Sequence, residues 1–160
     1  MKQGTRLSRR HVLQGMGVAF SVPAIIPRTA LGLGGRLPPS ERIRLGFIGM
    51  GKQNRGLLGR FIREKDTQVL AVCDVDTTRR NHARDEVNKF YGNEDCAAYN
   101  DYRDLVARDD IDAVVIATPD HWHTHPIVDA AKTRKHIYCE KPLTLTIAEA
   151  KVCIEAVNKY

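Results

Sequence analysis

The run Gly46-Phe47-Ile48-Gly49-Met50-Gly51-Lys52-Gln53-Asn54-Arg55-Gly56 sits where a short apolar stretch gives way to a helical pattern. In that setting Gly49 permits a tight turn, Gly51 lets the backbone come close to a pyrophosphate, and the following helix offers N–H groups and the positive end of its dipole. The third position of the G-x-G-x-x-G fingerprint holds Asn54, with Gly56 two residues on. A larger side chain there is expected to loosen the packing of helix on strand. Asp74 follows Gly51 by 23 residues, at the end of a second apolar stretch. A carboxylate at that spacing accepts hydrogen bonds from ribose hydroxyls and repels a 2′-phosphate, which points to NAD. Arg79 and Arg80 are near enough in sequence to accommodate such a phosphate, so NADP stays open as the less favoured cofactor. Asp76 is placed to cap the next helix.

Further along, His121, His123 and His125 alternate. On an extended segment three such rings would share one side, close enough to hold an ion. Yet His125 precedes Pro126 at a helix start, and no carboxylate or thiolate at ligand spacing completes a set, so a polar cleft wall is the favoured reading and no metal is expected. Cys73, Cys96, Cys139 and Cys153 show no C-x-x-C spacing, which excludes a zinc knuckle or a thioredoxin-like pair and leaves buried free thiols as the default.

Elements that could position these groups follow from periodicity. Strands are expected over 44–48, 69–73, 113–117 and 136–139, each short and rich in Val or Ile, and helices over 55–64, 77–91, 102–108, 125–133 and 147–159. Strand and helix alternate with short connections, the pattern of an α/β, doubly wound parallel sheet. In the last helix Thr146 and Glu149 form a capping box, and Ile147, Cys153, Ile154 and Val157 mark a stripe expected to pack.

Of the 160 residues, 42% are hydrophobic and 28% charged, as in an ordinary globular domain. The net charge of +6 resides in residues 1–42, which carry seven basic side chains and one acid; the remainder balances at 18 of each. A neutral body has no general attraction for a polyphosphate backbone, so no nucleic-acid partner is expected. Ser8-Arg9-Arg10-His11-Val12-Leu13 opens an apolar stretch over 12–26, interrupted by Gln14, Gly15 and Gly17. This resembles a twin-arginine export signal, with Val12 and Gln14 standing where Phe and Lys are usual. About 15 interrupted apolar residues fall short of the ~20 that span a bilayer. Residues 1–30 are therefore read as a signal peptide directing export to the periplasm without stable membrane anchoring, 31–42 as a linker, and 43–160 as the folded body.

Together, Gly49-Met50-Gly51, Cys73-Asp74-Val75-Asp76, Ala117-Thr118-Pro119-Asp120-His121-Trp122-His123 and Cys139-Glu140-Lys141-Pro142 resemble the motifs of the Gfo/Idh/MocA oxidoreductases in order and spacing. Asn54 in the glycine loop and Thr133-Arg134-Lys135, where the family often closes the helix with Gly, depart from it. The resemblance implies a Rossmann domain whose Gly49, Met50, Gly51, Asn54, Asp74, Thr118, Pro119, Glu140 and Lys141 meet the cofactor. It implies that Lys141 faces the reacting carbon, that His123 borders the nicotinamide pocket, both being catalytic, and that Pro142 follows a cis bond. A sugar or polyol substrate is likewise implied, as is a homo-oligomer at full length. Members of the family are longer, so the chain is expected to lack the C-terminal α+β substrate domain and the end of the Rossmann domain.

Overall fold

Short runs of Val, Ile and Ala between helices that follow closely can satisfy their backbone groups in parallel pairs, and the computed structural model, which describes residues 37–160, has this arrangement. Strands β1 (Ile43–Ile48), β2 (Thr67–Cys73), β3 (Ala97–Tyr99), β4 (Ala113–Ile116) and β5 (His136–Cys139) form one sheet in the order β3-β2-β1-β4-β5. Every neighbouring pair is parallel. The helices are α1 (Lys52–Phe61), α2 (Thr77–Tyr91), α3 (Tyr102–Val106), α4 (Thr124–Lys132) and α5 (Ile147–Lys159). The fold is thus the α/β Rossmann type expected from the alternation. Residues 1–30, read above as a signal peptide, and the first half of the linker, 31–36, lie outside the described residues. The described end of the linker is tied to the body: Leu37 donates its N–H to Lys65 O at 3.3 Å, and Arg42 Nε donates to Leu37 O at 2.6 Å.

Because successive side chains leave a strand on opposite faces, each strand feeds two cores. Phe47, Val69, Val72 and Val115 join Leu58 and Val87 from α1 and α2 on one face. Ile48, Ala71, Val114 and Ile116 join Leu105, Ile127 and Ala130 from α3 and α4 on the other. The chain winds from β1 outward to β3, then crosses back to β4 beside β1 and winds the other way. Between β1 and β4 the connections therefore diverge, and a crevice opens beyond the strand ends, as it does at such switch points generally.

Three expectations need correction. β3 has no counterpart among the strands expected from sequence, because three residues at an edge carry too little apolar periodicity to be seen. α1 begins at Lys52, three residues earlier than expected, since Gly51 is its N-cap. On α5, Cys153 and Ala156 are buried, whereas Ile147 is 81% exposed and Ile154 and Val157 are also exposed. Of the expected stripe only Cys153 is buried, and the buried face it shares with Ala156 packs on α4. The capping box forms as expected: Thr146 N–H donates to Glu149 Oε2 at 2.8 Å and Glu149 N–H to Thr146 Oγ1 at 3.3 Å. Asp76 Oδ1 accepts from Thr78 and Arg79 N–H and so caps α2.

All four cysteines are free thiols. Burial pushes Cys73, Cys96 and Cys139 up to about 12 and also raises Cys153, which keeps them protonated and poorly nucleophilic.

Candidate dinucleotide site at the switch point

The β1–α1 turn is built around close approach. Gly49 takes φ +83°, and a Cβ there would stand 2.9 Å from the Thr118 backbone nitrogen and 3.0 Å from Ala117 O. Any side chain would push the turn away from the exit of β4. At Gly51 the situation is reversed: a Cβ would meet nothing within 4 Å. That open space lies against the N-terminus of α1, whose cap residue supplies no side-chain oxygen to its N–H groups. A negatively charged group can take that place.

Asp74 organises the turn from the adjacent strand end. It is 8% exposed; Oδ2 accepts from Met50 N–H at 2.6 Å and Oδ1 from Asp76 N–H at 2.8 Å. Sequence reasoning assigned the carboxylate to a ribose and did not foresee this second task. Each oxygen still has a lone pair to offer, since a carboxylate accepts at about four positions. Arg80 is engaged at the end of β2, donating to Asp74 O at 2.6 Å and Asn100 Oδ1 at 2.9 Å. Arg79 remains on the crevice wall with a 3.7 Å ion pair to Asp76.

Asn54 overturns its expectation. It is fully buried, and its Nδ2 donates to Ile48 O at 3.1 Å, with Val115 O at 3.5 Å. Instead of loosening the helix, the amide pins α1 to the ends of β1 and β4. A single residue's contacts with two strand ends cannot be read from spacing.

The crevice is a cavity of about 510 Å³ whose walls include Gly49, Gly51, Asp74, Thr118, Pro119 and Trp122. Thr118 Oγ1 is buried there without a hydrogen-bond partner. Its surroundings therefore fit a dinucleotide: an open cradle at Gly51, an uncapped helix end, an acid at one end and an unpaired hydroxyl at the other.

The remaining expected residues stand apart from those walls. Met50 has its side chain in the core and its N–H committed to Asp74, so it holds the loop's shape and leaves cofactor contact to Gly49 and Gly51. Glu140 and Lys141 follow β5; Glu140 N–H donates to Ile116 O at 2.9 Å, and Lys141 N–H donates to Glu140 Oε2 at 3.2 Å. The Lys141 side chain is exposed and its bond to Pro142 is cis. His123 is 1% exposed, with Nδ1 3.0 Å from Pro142 O and 3.3 Å from Leu143 O. It lies behind the crevice wall, where a helical turn, not an extended segment, carries the three histidines. His121 is exposed and 3.6 Å from Asp120, and His125 packs its ring on Trp122 with centroids 4.7 Å apart. Among the described residues no three His, Cys, Asp or Glu side chains are grouped for a metal ion. Trp122, 42% exposed at the cavity mouth, is a wall residue that the sequence reading passed over. An aromatic three residues after the Thr-Pro pair was the available signal.

Comparison with known proteins gives the same direction. The family described as "Oxidoreductase family, NAD-binding Rossmann fold" matches residues 43–160. A glycosyl hydrolase family 109 protein from Shewanella sp. strain ANA-3 is 36% identical over 134 residues, covering 81% of this chain and 28% of the relative. Among solved structures, scyllo-inositol dehydrogenase from Lactobacillus casei aligns with a TM-score of 0.66 and 25% identity over 74% of this chain and 34% of its own. A 3-ketoreductase from Actinomadura kijaniata in complex with NADP aligns at 0.62 and 29%, over 73% and 36%. The chain thus spans about a third or less of the length of these proteins.

Proposed function

Since the chain belongs to the Gfo/Idh/MocA oxidoreductase family with its NAD-binding Rossmann fold, we propose that it forms the cofactor-binding part of an exported enzyme that acts on a sugar or polyol by hydride transfer. NAD is the proposed cofactor. The observation that carries this reading is the switch-point crevice with Gly51 open, α1 uncapped and Asp74 on its wall. Gly49 and Gly51 allow the pyrophosphate to reach the α1 N-terminus; Asp74 accepts from the ribose hydroxyls and disfavours a 2′-phosphate; Thr118 and Pro119 line the path to the nicotinamide. When bound, the nicotinamide supplies the acceptor and donor of a hydride. An alcohol that loses hydride must also lose its hydroxyl proton. The Lys141 side chain, standing beyond the strand ends, is assigned to polarising that oxygen and moving the proton.

A periplasmic enzyme draws on no maintained pool of free NAD, so a retained cofactor that accepts and returns hydride within one turnover suits the proposed export. The glycosyl hydrolase name of the curated relative favours a second reading, in which this redox-neutral cycle serves to cleave a glycosidic bond. Calorimetric titration of the chain with NAD and with NADP tests the binding claim; heat with NAD and a weaker NADP response is expected, and no heat with either refutes it. For the bound-cofactor claim, the protein as exported is denatured and released NAD(H) is counted. About one equivalent, with turnover needing no added cofactor, is expected. Strict dependence on stoichiometric external NAD would overturn that claim.

A further inference from the structure

We propose that His123 is a positioning residue that carries its proton on Nδ1 and uses that N–H to hold the backbone immediately after Lys141, while Nε2 takes no part in proton transfer. The role of Lys141 rests on the function proposed above; the state of His123 does not.

Carbonyl oxygens only accept hydrogen bonds, so the nitrogen that stands 3.0 Å from Pro142 O and 3.3 Å from Leu143 O must carry the hydrogen. In the neutral ring Nε2 is then the bare nitrogen. It is buried, and no protein group donates to it. The opposite tautomer would set a lone pair against two carbonyl oxygens and also bury an N–H with no acceptor, losing at both ends of the ring. The ring itself is 1% exposed and is not among the walls of the switch-point cavity, so Nε2 has no route to a substrate bound there.

What the ring does hold is defined by its neighbours. Before Lys141, Glu140 N–H is bonded to Ile116 O at 2.9 Å, which fixes that point to the end of β4. After Lys141, the carbonyls of Pro142 and Leu143 are gathered by His123. His123 is in turn fixed at the start of α4, its N–H bonded to Asp120 O at 3.2 Å and its carbonyl accepting from Ile127 N–H at 3.1 Å. Lys141 therefore lies on a short span pinned at both ends, one pin belonging to the sheet and the other to the imidazole. Through its backbone N–H on Asp120 O, the residue that carries this imidazole is linked to the Thr118-Pro119 segment on the cavity wall, so the reactive lysine and the wall are held to one frame.

Side-chain nitrogen NMR on the ¹⁵N-histidine-labelled full chain reads the tautomer directly, with a protonated Nδ1 and a bare Nε2 expected for His123; a proton on Nε2 would overturn the proposal. Variants give a second reading, because the Asn amide nitrogen can occupy the place of Nδ1 and the Gln amide nitrogen that of Nε2. Amide exchange at Glu140, whose N–H is bonded to Ile116 O at 2.9 Å at the other end of the pinned span, is expected to stay within about 3-fold of wild type in His123→Asn and to rise at least tenfold in His123→Gln, with both variants melting alike. Equal protection in the two variants, or rescue by Gln alone, would overturn it. A failed NAD titration with the expected tautomer intact would count against the proposed function and leave this assignment standing.

Discussion

Asp74→Asn separates the two tasks of the acid at the end of β2. In the native chain its carboxylate accepts from Met50 N–H at 2.6 Å and from Asp76 N–H at 2.8 Å while 8% exposed. An amide of the same shape keeps one oxygen for one of these donors and turns an NH₂ toward the other. A charge-assisted bond is lost, worth about 1.5 to 3 kcal/mol, and a buried N–H is left facing a donor, at about 1 to 3 kcal/mol. Part of the second loss is relieved by small shifts of the turn, so the expected destabilisation is about 3 kcal/mol, or a fall in Tm of about 10 °C for a domain of this size. Urea and thermal melts without cofactor measure it. Calorimetry on the folded variant should then show NAD weakened by at least tenfold and NADP weakened less. A variant melting within about 1 °C of wild type would refute the structural task. Equal weakening of both cofactors would refute the ribose assignment.

Arg134 follows the end of α4 at φ +56°, a left-handed position exposed to solvent, so Arg134→Gly should raise stability by about 1 kcal/mol in a denaturant melt. No gain would mean that the turn is held by contacts of the arginine itself. The Arg44 guanidinium, forked onto Asp112 at 2.9 and 2.6 Å, holds the Asp112 carboxyl below its ordinary value. A folded pKa below the unfolded one gives stability that is present above about pH 4 and is lost as pH falls through the folded value. Asp112→Asn should therefore flatten the acid limb of stability against pH below about pH 4, and an unchanged limb would remove the pair from the account. Replacing Arg9 and Arg10 together by Lys should shift the protein from the periplasmic to the cytoplasmic fraction; unchanged fractionation would refute the twin-arginine reading.

The Gly49–Gly51 turn, the Asp76 cap, the Thr146–Glu149 box and the four strands β1, β2, β4 and β5 of a parallel sheet were all legible in the sequence. Each rests on local physics: backbone freedom at glycine, an oxygen within reach of the next helix's N–H groups, and a period of two or 3.6 in apolar side chains. The resemblance to an oxidoreductase family was legible for the same reason, since its motifs are short runs at strand ends. What only the tertiary structure decided involves partners distant in sequence. Asn54 reads as a flaw in a glycine loop until Ile48 and Val115 bring their carbonyls to it. His123 reads from its motif as a catalytic ring, and only the fold brings the carbonyls of Pro142 and Leu143 to its Nδ1. On α5 the sequence offers Ile147, Cys153, Ile154 and Val157 as one apolar stripe, but of these only Cys153 is buried, together with Ala156, because packing on α4 selects the face. A side chain's type limits which bonds it can make, while its neighbours across the fold determine which of them it makes.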